Sequence, residues 1–341
     1  MKNSIVRRSV ALVVAAVAAG GLVACSDNSN NPGSATDNNR RLQIAYLSFA
    51  VANSYDAPML AAAKAAAAAG NAEVTVFDAN NDPQTQFSQF QNALSAGKYD
   101  GIIVQPILGT GLTSLVTQAV GQGIKVVNID QILGPDYTTD QPQVDGLSAN
   151  VVFIPSKIGQ QLGQLTVQAC QSKNLNPCNV GFMYDIKAST LDAAINKAFT
   201  DAIAGTPSIK VVAEGESFFT PALGLTATQN MLQAHPELNL LVASDQGLEG
   251  ATQALAAANK TDLLMVGYGG SAAGFGYVKN GTVFGDVVQA PASEGQLGMT
   301  ALINAIRSGE NSGAINPVAS LPDDGVATKD NVDQFTAEWP G

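Results

Sequence analysis

From Leu42 onward, short apolar runs alternate with amphipathic stretches. Ile44-Ala45-Tyr46-Leu47 has no polar face, the pattern of a strand buried on both sides of a sheet. A polar and aromatic loop follows, then Pro58, which suits a first helical turn because the missing N–H has no partner there anyway. Met59 opens a helix containing five consecutive alanines and stopped by Gly70. The strand–loop–helix unit then recurs. Residues 73–77 alternate and lead to Asp82-Pro83, an N-cap followed by a first-turn proline. The helix after them places Phe87, Phe90 and Leu94 on one face. Residues 101–106 predict a third strand with Gln105 at its carboxyl end, 112–121 a helix, and 125–131 a fourth strand ending in Asp130-Gln131. Residues 133–146, with Gly, Pro, Asp and Thr, predict a loop, and 147–150 a crossing between lobes. A second series follows, with strands over 180–185, 210–213, 240–245, 264–268 and 283–289. Helices are expected over 155–172, 190–204, 221–234, 248–258, 272–279 and 293–308. Such alternation predicts an α/β protein of two similar lobes, each a parallel sheet flanked by helices. Right-handed crossovers bring the carboxyl-end loops to one edge, where open sheets bind ligands.

The chain has 341 residues, enough for two domains, and 46% are apolar, which supports packed cores. The formal net charge of −11 opposes binding to a phosphate backbone, so nucleic acid is not an expected partner. The N-terminus reads as an export signal. Lys2, Arg7 and Arg8 precede an apolar stretch too short to span a bilayer, which needs ~20 residues. The stretch ends in Leu22-Val23-Ala24-Cys25, similar to a bacterial lipobox, so residues 1–24 are expected to be a lipoprotein signal peptide and Cys25 the lipidated residue. Residues 25–39 read as a flexible tether to the outer face of the cytoplasmic membrane. Cys170 and Cys178 flank a helix-to-strand loop. Export into an oxidising compartment favours a disulfide there, two reduced thiols being the alternative.

Enzyme chemistry finds little support. His235 is the single histidine, beside Pro236, with no nucleophile motif nearby, and it is expected to be structural. No Cys-x-x-Cys pair suggests a metal site, and no cofactor is expected. Gly109-Thr110-Gly111 resembles the start of a dinucleotide-binding loop, but Ser114 stands where its third glycine should be.

Several short motifs occur in one order: Asn53-Ser54-Tyr55, Asn81-Asp82-Pro83, Gln105-Pro106, Asp130, Ala243-Ser244-Asp245, Val266-Gly267-Tyr268 and Gln289-Ala290-Pro291. In these the mature chain resembles the ribose-binding type of periplasmic sugar-binding proteins that serve ABC importers, over roughly residues 42–332. The resemblance implies two lobes joined by three crossings, at 40–147 plus 291–321 and 148–290 plus 322–341, closing on a ligand. It implies a monomer that delivers a small neutral sugar or polyol to a membrane permease. A sensory receptor signalling to a membrane kinase or chemoreceptor is the alternative.

Carried over residue by residue, the resemblance places Phe49, Tyr55 and Phe219 where aromatic rings sandwich a sugar. Phe218 and Phe219 should point opposite ways, one to core and one to ligand. Asn53, Asp56, Gln105, Asp130, Gln131, Ser244 and Gln289 are the polar ligand candidates. Asp245 is expected to be a helix N-cap, with a ligand role as the alternative. Trp339 is expected to dock on the surface of the second lobe. The family commonly has arginines where Gln131 stands and in the region of Asp192, and an acid where Gly269 stands. The loss of the family's charges at Gln131, around Asp192 and at Gly269 implies a neutral sugar or polyol with a hydroxyl pattern other than that of ribose, or a larger guest, with Gly269 leaving space.

Overall fold

The computed structural model describes residues 40–341. The expected signal peptide, tether and Cys25 anchor lie outside the described residues. The first series of elements is β1 (Leu42–Ser48), α1 (Asp56–Ala69), β2 (Ala72–Asp78), α2 (Pro83–Ala96), β3 (Gly101–Val104), α3 (Gly109–Gly121), β4 (Lys125–Asp130) and β5 (Ala149–Val152). The second is α4 (Pro155–Ser172), β6 (Cys178–Tyr184), α5 (Thr190–Ile203), β7 (Ile209–Glu216), α6 (Pro221–Ala234), β8 (Leu240–Ser244), α7 (Asp245–Ala257), β9 (Leu264–Gly269), α8 (Ala272–Asn280) and β10 (Gly285–Val288). The chain then returns through α9 (Pro291–Ser308), β11 (Gly313–Ile315) and β12 (Val326–Thr328).

Among the described residues these strands form two six-stranded sheets, ordered β11-β5-β4-β3-β1-β2 and β12-β10-β9-β8-β6-β7. All pairings are parallel except β10 with β12. Three passages between the sheets result: after β5, between β10 and α9, and between β11 and β12. The central strands β3, β5 and β6 are buried along their whole length, because helices cover both faces of each sheet.

One expectation changes here. The first passage does not lie at 147–150. Residues Ala149–Val152 pair with β4 as a strand of the first sheet, so the crossing comes after Val152. A four-residue apolar run carries no mark of which sheet will accept it. Gly109-Thr110-Gly111 is the first turn of α3, not a phosphate loop. Glycine is required at 109 because a Cβ there would meet the Ile132 carbonyl oxygen at 2.1 Å.

Cys170 and Cys178 are bonded, with Cα atoms 6.0 Å apart, which ties the end of α4 to the start of β6. Asp82 caps α2 as expected, its carboxylate accepting from the Thr85 N–H. The cap of α7 is Ser244 rather than Asp245, which lies in the first turn.

Candidate functional site

The carboxyl ends of both sets of strands face one another, and the loops that leave them enclose a cavity of about 550 Å³ of non-atom space, part of it open to solvent. From the first lobe, the loop after β1 supplies Phe49, Asn53 and Tyr55, the start of α1 Asp56, and the end of β4 Asp130 and Gln131. From the second come Phe219 after β7, Ser244 at the end of β8, Gly269 at the end of β9 and Gln289 after β10. Ten residues singled out in the sequence are thereby brought around one space.

The loop after β1 is held by its own polar groups. Asn53 Oδ1 accepts from the Tyr55 N–H at 2.8 Å, a local side-chain turn that turns the Tyr55 ring inward. The Asp56 carboxylate accepts from the Ala50 N–H at 3.2 Å and closes the loop. Asp130 has φ of +68°, left-handed backbone that aspartate tolerates better than most residues. The Gln131 N–H bonds back to the Ile129 carbonyl at 2.9 Å, turning the strand end sharply toward the cavity. Phe218 and Phe219 both have positive φ, 49° and 54°, which for bulky side chains costs on the order of 1–2 kcal/mol each. Ser217 anchors this turn through its hydroxyl, which donates to Asp185 and accepts from the Phe219 N–H. The turn sends Phe219 into the cavity and leaves Phe218 half exposed, so neither phenylalanine is core as expected for one of them.

Two expected ligand residues stand elsewhere. Gln105 is buried behind the wall. Its amide oxygen accepts from the Phe49 N–H at 3.1 Å, and Nε2 donates to Asp56 Oδ1 at 2.6 Å and Asp130 Oδ2 at 3.0 Å. It therefore positions three cavity residues without lining the cavity. Asp192 turns away altogether. Its carboxylate accepts from the N–H groups of Asp185 and Ile186 and from the Ser189 hydroxyl, while Ser189 caps α5 through the Asp192 N–H. Leu191 and Ile195, four apart on α5, face the cavity instead.

Phe153, Gln246, Tyr268 and Trp339 also line the cavity, unforeseen from the sequence. Tyr268 donates its hydroxyl to Asp185, which also accepts from Ser217 and Ser244, so one carboxylate gathers the ends of β7, β8 and β9. Trp339 docks on the second lobe as expected, but in the cavity wall instead of on the outer surface: it is buried, and its indole N–H donates to the Gly269 carbonyl at 2.8 Å. Its indole fills the space that Gly269 was expected to leave open.

No Lys, Arg or His is among the residues that line the cavity. Burial pushes the acids around it above the usual carboxylate range. Burial, reinforced by the charge of Asp130, pushes Asp56 up to about 8, although bonds from Gln105 and the Ala50 N–H oppose it. Burial pushes Asp130 up to about 7. Glu294, in the first turn of α9 and bonded by the Tyr55 hydroxyl at 3.3 Å, is raised by burial and then by Asp130. In the second lobe burial raises Asp185, and burial with the Asp185 charge raises Asp192 to about 7. A wall of rings, amides and carboxyl groups, with no cation among its lining residues, suits a small uncharged molecule with apolar C–H faces and several hydroxyls.

Comparison with known proteins agrees with this geometry. Residues 44–311 match the family model described as periplasmic binding protein domain. The xylitol-binding protein of Mycolicibacterium smegmatis is 28% identical over 270 residues, 78% of this chain and 72% of that protein. The D-allose-binding periplasmic protein of Escherichia coli is 28% identical over 256 residues, 71% of this chain and 75% of that protein. Among solved structures, an ABC transporter solute-binding protein from Mycobacterium smegmatis with bound glycerol superposes with a TM-score of 0.73 at 23% identity. That match covers 88% of this chain and 99% of the other.

Proposed function

The chain belongs to the periplasmic binding protein domain family, and on that premise we propose that it captures a monosaccharide or polyol between its lobes and delivers it unaltered to an ABC importer. One observation carries the choice of guest: a shared interlobe cavity that joins aromatic rings to amides and carboxyl groups, with no base among its lining residues. Phe49, Tyr55 and Phe219 offer faces and edges for the C–H side of a sugar. Asn53, Asp56, Asp130, Gln131, Ser244 and Gln289 can straddle its hydroxyls, and Gln105 holds the acids in place. A site built this way rejects an analogue that lacks a hydroxyl, because its own polar groups are then left unpaired. The names of the xylitol- and allose-binding relatives support a guest of this size and chemistry.

Export fits the basic start, short apolar run and Leu22-Val23-Ala24-Cys25 of the leader, and Cys25 then carries the lipid that holds a monomer at the outer face of the cytoplasmic membrane. Substituting Cys25→Ala should move the protein from the membrane fraction to the soluble one.

The test of binding is a thermal-shift and calorimetry screen over pentoses, hexoses, pentitols and inositols. A guest at ~100 times its Kd adds ~2.7 kcal/mol to stability and is recovered unchanged. A screen without any shift, or one that yields a product, would overturn the reading.

A further inference from the structure

We infer that Trp339, brought to the cavity by the C-terminal tail, is a specificity-determining residue that closes the pocket to guests larger than one sugar ring or a short polyol. This rests on the function proposed above and names what limits the guest.

Trp339 belongs to neither sheet and lies two residues from Gly341. It nevertheless lines the cavity, 4% exposed. Gly269, at the end of β9, has φ of +146° and no side chain to offer. A Cβ there would lie 2.8 Å from Trp339 Cζ2 and 2.8 Å from Asp245 Cγ. The indole thus occupies the space beside Gly269, and its N–H is bonded to the carbonyl of that same glycine. Wall and filler fit only as a pair: a side chain at 269 would expel the indole, and without the indole nothing on β9 covers the gap.

The tail is fastened on both sides of the cleft, which makes this wall rigid. The carbonyls of Trp339 and Pro340 accept from the N–H groups of Ala272 and Ala273 at the start of α8, at 2.9 and 3.1 Å. The Glu338 carboxylate accepts from the Ser293 N–H at 2.8 Å and from its hydroxyl at 2.5 Å, at the start of α9, which packs on α1 and β4 of the first lobe. The Tyr55 ring of the first lobe meets the indole edge to face, with centroids 5.3 Å apart. An aromatic wall pinned in this way cannot retreat to admit a second ring.

The experiment compares wild type with Trp339→Ala and Trp339→Phe by calorimetry against xylitol, D-allose, D-ribose and the disaccharide maltose. Circular dichroism checks that each variant is folded. The inference expects the best monosaccharide or polyol to bind Trp339→Ala at least tenfold more weakly, maltose to bind this variant but not wild type, and Trp339→Phe to fall between. Equal affinities and an unchanged order of preference in folded variants would overturn it. Should Trp339→Ala fail to fold, Trp339→Phe and the emission of wild type decide. The chain has one tryptophan, so a saturating guest must change its fluorescence with the calorimetric Kd, and unchanged emission at saturation overturns the inference. The best guest from the screen over pentoses, hexoses, pentitols and inositols joins this panel, and wild type that binds nothing in that screen defeats the proposed function itself, before any substitution is made, and takes this inference with it.

Discussion

The ring of Phe49, on the loop after β1, meets the ring of Phe219, on the turn after β7, edge to face across the cleft, with centroids 6.5 Å apart and planes at 83°. The two rings come from different sheets, so the contact exists only when the lobes are together. Such pairs contribute about 0.5–1.5 kcal/mol beyond the area they bury. Phe219→Ala should therefore weaken guest binding roughly tenfold or more, since it removes both this contact and a cavity wall. The unliganded protein should melt at nearly the same temperature, or slightly higher if alanine relaxes the strained turn. Calorimetry and a melting curve on the same sample check both parts.

Asp130 sits where the strained end of β4, the Gln105 amide and the cavity meet. Asp130→Ala should abolish the ligand-induced thermal shift, which for wild type at ~100 times Kd amounts to ~2.7 kcal/mol. The melting point without guest should stay close to wild type, because removing an acid that burial disfavours offsets the poorer fit of alanine to left-handed backbone. An undiminished shift in this variant would remove Asp130 from the site.

Gln105 gives a separate expectation. It touches no cavity space but donates to both Asp56 and Asp130 and accepts from Phe49. Gln105→Leu leaves those partners unsatisfied, each buried polar group costing about 1–3 kcal/mol. Both stability and affinity should fall together. Asp130→Ala, by contrast, should lower affinity alone.

The buried acids set the pH response. Asp56 is raised to about 8, Asp130 and Asp192 to about 7 and Asp245 to about 6, all by burial first. Asp185, Asp286 and Glu294 are raised as well. In the unfolded chain these groups release their protons near pH 4. Between pH 4 and 8 the folded state thus binds more protons than the unfolded one, and stability falls as pH rises through that window. The melting temperature should be higher at pH 5.5 than at pH 8. Acids lowered by a partner, such as Asp100 beside Arg40, act oppositely and lose their contribution only as pH drops through their own depressed values. A melting point that climbed from pH 5.5 to 8 would contradict the buried-acid account.

The Cys170–Cys178 bond closes a loop with a sequence separation of 8. The chain-entropy model gives such a loop about 2.5 kcal/mol of stabilisation. Denaturation with and without reductant, or with Cys170→Ser/Cys178→Ser, should show a difference of that order, with guest affinity unchanged because the loop joins α4 to β6 away from the cavity.

Much of the architecture was legible in the pattern of residues. The apolar runs that became β1, β3 and β6, and the proline and Asx starts of α2, α4 and α6, are local signals that tertiary contacts did not overrule. Asn53, Asp56, Asp130 and Gln289 could be placed at one edge because each follows a strand. The roles of Gln105 and Asp192 could not be read that way. Both are polar and end-of-strand or start-of-helix, yet one amide braces two acids behind the wall and the other side chain closes a loop on itself. The membership of Ala149–Val152 in the first sheet was equally hidden, since four buried residues pack as well in either sheet.

The sequence by itself determined the alternation of strands and helices, because that depends on spacings of two to four residues. Only the tertiary structure decided which polar groups face the cavity and that Trp339 closes one end of it. The reason is distance along the chain: Gln105 reaches an acid 49 residues away, and Trp339 bonds a carbonyl 70 residues away. Partnerships at that separation are set by how the sheets and the tail pack, and no local period encodes them.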